Sequence, residues 1–326
     1  MSFDKSAISQ WKDELGAPSD YILKPILAAR TMQMLGVDKR LGIKGNNQLI
    51  PILEVTTPFQ AGTACGFTTS GDTTLTQLTI TSSPIKVQQS LCLQDLETIY
   101  AQKVLPKGSR PETFQLLDLW TKRILEQTAI NVENMLWQGK TTYTNDTHLK
   151  QLNGFIAIND TAADNVAATQ AASISTTTVR GIIEEIAYNK IPSSIRSLGA
   201  VIVCGYDTFN IYLQKLMTDN LYHYDPTNTD LAGYKMKVYG TNVTLLGLPG
   251  LNNDNAVETG SLPTAVKNRI FATYEDNFIV AMAAENDETD FDVWFDKNTQ
   301  LLKFNLRFHL GTKMKYTDRV VQYTNI

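Results

Sequence analysis

Residues 109–139, SRPETFQLLDLWTKRILEQTAINVENMLWQG, constrain this chain more than any other stretch. Phe114, Leu117, Trp120, Ile124, Leu125, Thr128, Val132, Met135 and Leu136 recur at helical spacing and trace one face. Ser109 and Glu112 stand at capping-box spacing, Pro111 is tolerated in a first turn, and Gly139 supplies a stop. The pattern predicts one helix over 110–138, roughly 40 Å long at the α-helical rise. No partner helix of similar length stands elsewhere in the sequence. Its stripe, with Leu117, Trp120, Ile124 and Val132 as core positions, must therefore be covered by a sheet.

The end of the chain offers one. RIFATY, NFIVAMAAE, DFDVWFD and LLKFNLRFHLGTKMKY read as strands, and DKNTQ turns the last two into a hairpin. In the last strand Leu302, Phe304, Leu306, Phe308 and Leu310 take one face, while Lys303, Asn305, Arg307 and His309 take the other, where His309 is expected to be solvated. The chain is thus expected to be α+β, a long helix packed on an antiparallel sheet.

Residues 46–95 are rich in Thr, Ser and Gly and poor in charge. Leu78, Ile80, Ile85, Val87 and Leu91 fall at two-residue spacing with a break at Pro84, a strand signal with a kink. TTSGDTT is a turn signal. The expectation is a long two-stranded hairpin tipped near Ser70 to Thr73, with arms of about 15 residues. Such a hairpin is marginal alone and must lie on its own domain or on another subunit. Phe59, Phe67, Ser70, Gly71, Asp72 and Leu75 are its expected contact residues.

Residues 1–45 read as an arm. Phe3, Ala7, Trp11 and Leu15 form a short helical stripe that packs on the chain's own core or grips a neighbour through Phe3 and Trp11. A second weak helix, ILAARTMQML, precedes Gly36. Residues 157–265 begin with a small, polar linker and continue as an α/β unit. Val179, Ile182, Ile183 and Ile186 mark one helix, GAVIVCG is a buried strand, and a second helix carries Phe209, Tyr212, Leu213, Leu216 and Met217 behind Asp207 as N-cap. YKMKVYGTNVTLLGLPGL adds one or two strands.

Catalytic chemistry finds no anchor. The 326 residues carry a net charge of −4 and no run of Lys and Arg, which argues against tight nucleic-acid binding. Cys65, Cys92 and Cys204 are odd in number and widely spaced, with neither a metal-ligand pair nor a disulfide framework, which suits a reducing compartment. His148, His223 and His309 lie far apart. VIVCGYDTF resembles a nucleophile elbow but keeps only Gly205 of the flanking glycines, so Cys204 reads as a buried structural thiol. The acidic stretch with Asp287, Glu288, Asp290, Asp292 and Asp296 lacks the spacing of a calcium loop and reads as cross-strand partners of Lys303 and Arg307. No cofactor, metal or catalytic residue is expected. No segment approaches the roughly 20 apolar residues of a membrane helix, and the N-terminus lacks the apolar core of a signal peptide. The sequons at Asn145, Asn159 and Asn242 are read as chance.

The order of parts resembles the major capsid protein of tailed bacteriophages, the Hong Kong ninety-seven fold. LTITSSPIKVQQSLCLQDLE leading into the helix, LNGFIA after it, and the closing stretch from NRIFATY to GTKMKY carry the resemblance, which covers nearly the whole chain. It implies an N-arm (1–45), an extended E-loop hairpin (46–95), a P-domain (96–156 and 266–326) with its spine helix, and an inserted A-domain (157–265). It also implies hexamers and pentamers that close into an icosahedral shell around double-stranded DNA, without specific binding to it. The location implied is the virion, assembled in the host cytoplasm, with a portal protein as partner. The short N-terminal segment has no coiled coil, so a separate scaffolding protein or unassisted assembly is expected rather than a fused scaffold. Some members of the family cross-link through an E-loop lysine; here no Lys lies between Lys44 and Lys86. Two other readings stand beside this one: a cellular shell of the encapsulin type, and a soluble enzyme with its pocket in residues 176–248.

Overall fold

The computed structural model describes residues 25–42, 48–59, 62, 71–92, 113–143, 148–168, 173–219, 233–252, 269–283 and 291–324. In chain order the elements are α1 (Arg30–Met34), β1 (Asp38–Leu41), β2 (Gln48–Thr56), β3 (Asp72–Ile80), β4 (Ser83–Cys92) and α2 (Thr113–Gln138). Then come α3 (Phe155–Thr161), β5 (Val166–Ala167), α4 (Val179–Glu185, continued by a π turn over Ile186–Lys190), α5 (Ser193–Ser197), β6 (Ala200–Gly205) and α6 (Tyr206–Thr218). The rest are β7 (Lys235–Lys237), β8 (Thr244–Leu248), β9 (Ile270–Tyr274), β10 (Phe278–Ala283), β11 (Phe291–Asp296), β12 (Leu301–Met314) and β13 (Val321–Tyr323). The fold is α+β.

The expected long helix is α2, with 26 residues. The capping residues Ser109, Pro111 and Glu112 lie outside the described residues. Gly139 ends the helix without a left-handed turn. A Cβ there would stand 2.5 Å from the carbonyl oxygen of Leu152, and one at Gly154 would stand 2.7 Å from that of Trp137. The two glycines let the chain fold back against the last turn, closed by the Gly154 N–H donating to the Gly139 carbonyl at 2.8 Å.

The apolar face of β12 covers α2. Leu302, Phe304, Leu306, Phe308 and Leu310 are all buried in one core with Ile124, Val132, Met135 and Leu136. Trp120 is half-buried, its ring edge-on to Phe304 with centroids 5.9 Å apart. Leu117 lies in α2, with its side chain outside the described residues. β12 is the central strand of a five-stranded sheet, with β10 and β11 along one edge and β4 along the other. β1 adds to β10 in parallel.

Two expectations change here. His309 is buried, not solvated, and Asn305 on the same face is buried too. They sit on a strand flanked on both edges, and the foot of β3 lies against β12. The tip of the hairpin is also displaced from its expected place. β2 and β3 pair over nine residues each, from Gln48↔Ile80 to Thr56↔Asp72, so the connection runs through residues 57–71 rather than turning at 70–73. Gly71 (φ +105°) is the entry to β3, where a Cβ would strike the Thr56 carbonyl oxygen. Beyond the break at residues 81–82 the chain leaves the hairpin, and β4 pairs with β12 instead.

A six-stranded sheet follows the order β5-β13-β9-β6-β8-β7. One face shares the α2 core through Val201, Val203, Leu246, Leu248 and Phe271. The other carries a second core under α4 and α6, built on Ile182, Ile183, Ile202, Phe209 and Tyr212. Sheet membership crosses the boundary drawn at residue 266, since β9 and β13 pair in this sheet. Gly205, not Asp207, is the N-cap of α6, and Met217 is exposed on its outer side.

α2 is thus flanked by both sheets, which is why residues 132–139 are buried all round rather than on one stripe. Trp137 marks the joint. Its ring meets Phe278 of one sheet at 5.6 Å and Phe271 of the other at 5.8 Å, with Phe155 at 5.2 Å.

Candidate assembly interface

Among the described residues the β2–β3 hairpin is left largely uncovered by the chain's own core. Its pairing register separates two faces. On one, Leu49, Pro51, Leu53 and Val55 oppose Thr79, Gln77, Leu75 and Thr73. Leu53 and Leu75 form a cross-strand apolar pair in full view of solvent, 61% and 66% exposed. On the other face the foot of the hairpin is anchored. Ile50 and Ile80 are buried against Ile279 and Ala281 of β10, with Leu78 beside them. Beyond that foot no residue among those described supports the arms, and Phe59 is wholly exposed.

An exposed apolar hairpin with two free edges is a liability in a lone molecule and a resource in an assembly. Of the residues read from the sequence as contacts, Phe59, Gly71, Asp72 and Leu75 lie on this hairpin or its loop and are exposed. Phe67, Ser70, Phe3 and Trp11 lie outside the described residues.

Charge is distributed unevenly around it. Residues 48–80 contain Glu54 and Asp72 and no Lys, Arg or His. On the face of the five-stranded sheet away from α2, Lys86 stands directly opposite Arg307, both exposed. Lys303 is paired at 2.6 Å with Asp296, as expected for the acidic stretch. That contact and the turn donors at Asn298 and Thr299 hold the Asp296 carboxyl well below the usual carboxylate range. Residues 284–290 of the stretch lie outside the described residues.

The remaining candidate groups do not converge. Cys204 is fully buried and burial pushes its thiol up, the reverse of an activated nucleophile. His148 lies at the surface and His309 inside the sheet, while His223 is outside the described residues. Among the described residues no three Cys, His, Asp or Glu side chains come together as metal ligands, and no helix is long and apolar enough to cross a membrane. Asn159, in one of the sequons, is completely buried, which bars glycosylation in the folded chain.

The buried polar residues that matter most were not singled out in the sequence. Glu133 and Trp137 of α2 meet Thr31 of α1 and the loop at Gly250, and Gln138 donates to the Gly250 carbonyl at 2.7 Å. A periodic stripe shows which residues are apolar, but not that a glutamate beside it will be enclosed from the far side.

No protein-family model matches the chain, and no curated protein does. Solved structures do. The chain is similar to the structure of a satellite phage P4 procapsid including size determination (Sid) protein, over 94% of this chain and 99% of that one, at 8% identity and a TM-score of 0.57. It is similar to the capsid of Myoviridae phage XM1 over 91% and 92% of the two chains (13% identity, TM-score 0.55). It is also similar to the capsid of cyanophage A-1(L) over 94% and 92% (14% identity, TM-score 0.53). The chain has the fold of these phage capsid structures.

Proposed function

We propose that this chain is the major capsid protein of a tailed bacteriophage, a structural subunit that self-assembles into hexamers and pentamers of an icosahedral shell around double-stranded DNA. The observation that carries the reading is the extent of the fold likeness, 94% of this chain against 99% of a procapsid chain. The exposed β2–β3 hairpin supports it independently, because it is a feature with no use in a monomer.

In this reading residues 1–45 are the N-arm, the hairpin is the E-loop, α2 is the spine helix of the P-domain, and the six-stranded sheet with α4 and α6 is the A-domain. The A-domain then draws β9 and β13 from the closing segment as well as residues 157–265. The spine helix stiffens each tile by filling the space between two sheets. The E-loop finds on a neighbouring tile the support its own chain does not give. A net charge of −4 suits a container that holds DNA without gripping it. A portal protein is the expected partner, with either a separate scaffolding protein or unassisted assembly; the virion is the location, and assembly takes place in the host cytoplasm.

Electron microscopy of negatively stained, purified protein tests the reading. Capsomers, closed shells or tubes are expected, with or without a scaffolding protein. A strict monomer under every such condition, with the virion's other proteins present, overturns it.

A further inference from the structure

The hairpin carries acidic residues and no cation. Asp72 pairs with Thr56, which by alternation places it on the face that carries Ile50, Leu78 and Ile80 at the foot. The foot packs against Ile279 and Ala281 of β10. These residues belong to the face of the five-stranded sheet turned away from α2, since Phe278, Val280 and Met282 point into the α2 core. The foot of the hairpin thus lies on that outer face, while Asp72, at the far end of the paired segment, is exposed.

On that outer face Lys86 and Arg307 are directly opposed across β4 and β12. Like charges directly opposite each other on neighbouring strands cost stability. Both side chains are exposed, and neither has an ion-pair partner among the described residues. Such a pair is a site that an anion from outside relieves.

We propose that the Lys86–Arg307 pair on the outer face of one subunit is the seat for the β2–β3 hairpin of a second copy, with Asp72 as the anion. The inference rests on the capsid reading. Every tile of one shell carries the same exposed hairpin and the same outer face, so the hairpin of one copy meets the cation pair of another. Charge favours the match: the hairpin arms hold acids and no cations, and the seat holds two cations in register. The pairing also sets direction, because an inverted hairpin would present the apolar Leu53–Leu75 face to two cations.

Charge reversal on either side tests it. Lys86→Glu turns the like pair within one subunit into an opposite pair, so the monomer should melt at or above the wild-type temperature. Its assembly, followed by light scattering, should nevertheless slow by roughly tenfold or more, the size of a like-charge contact at an interface. Asp72→Lys should slow assembly similarly, and Lys86→Glu combined with Asp72→Lys should restore most of the rate. If Lys86→Glu assembles like wild type, or the combination is no better than the single variants, the seat is elsewhere. A variant whose hairpin is replaced by a short Gly-Ser turn separates the two readings. If it fails to assemble while Lys86→Glu assembles normally, only this seat is lost. If it too builds normal shells, the role given to the hairpin falls with it.

Discussion

The carboxylate of Glu133 accepts two hydrogen bonds from Thr31, one from the backbone N–H at 2.8 Å and one from the hydroxyl at 2.6 Å, across 102 residues of sequence. Trp137 Nε1–H donates to the same hydroxyl at 2.7 Å, which commits the Thr31 proton to Glu133. The Gly250 N–H also donates to the carboxylate. A 3% exposed acid thereby clasps α1, α2 and the loop after β8. Thr31→Val keeps the shape and removes the hydroxyl. It should lower stability by about 2 to 3 kcal/mol, because the Trp137 N–H and one carboxylate oxygen lose their partner. Denaturant unfolding of the two proteins checks this, and a loss below about 0.5 kcal/mol would mean the clasp contributes little.

The clasp should also titrate. Burial raises the Glu133 carboxyl above its ordinary value of 4.5, against the pull of the Thr31 and Gly250 donors and the Arg30 charge. Between 4.5 and the higher folded value, the folded chain holds a proton that the unfolded chain has released. The stabilising contribution is therefore complete below the unfolded value and is lost as pH rises through the folded one. Glu133→Gln removes this titration. The melting temperature of Glu133→Gln relative to wild type should rise as pH is taken from 4 toward neutrality, and a difference independent of pH would contradict the assignment.

The two tryptophans of α2 should differ. Trp137 is fully buried between the sheets, and Trp137→Ala should cost about 3 to 5 kcal/mol. Trp120 is half-buried against Phe304, and Trp120→Ala should cost less, about 1 to 3 kcal/mol. Chemical denaturation in parallel ranks them, and an equal or inverted order would mean that the burial along α2 is misread.

Periodicity made α2 and the apolar face of β12 legible, because a helix stripe and a strict two-residue alternation each match one backbone geometry. It also identified Ile124 and Val132 as core. It did not reveal that α2 lies between two sheets, so Glu133 and Trp137 went unmarked. The alternation of β12 placed Asn305 and His309 on a polar face correctly, but solvation depends on neighbouring strands and on the foot of β3. TTSGDTT carries a turn composition, yet the register makes Gly71 a strand entry, since any glycine tolerates φ +105° whether at a tip or beside one. The hairpin was legible as a Thr-rich stretch without cations. Its division into two faces required the register.

Covalent joining of tiles should be absent at the E-loop, because no lysine lies between Lys44 and Lys86. Assembled particles, boiled and reduced, should run as one band near 36.3 kDa. A ladder of multimers that survives denaturant would locate a lysine donor elsewhere in the chain.

The central claim is that the hairpin joins tile to tile and is not part of the tile's own core. The register fixes the proper excision. Replacing Leu53–Leu75 with a short Gly-Ser turn keeps the pairs from Gln48↔Ile80 to Ile52↔Thr76, and with them the packing of Ile50, Leu78 and Ile80 on β10. Melting should confirm a folded monomer within a few degrees of wild type. The deciding measurement is electron microscopy of that protein under conditions where wild type assembles. The account predicts subunits or disordered aggregates and no regular shells; closed shells of normal size and number would contradict it.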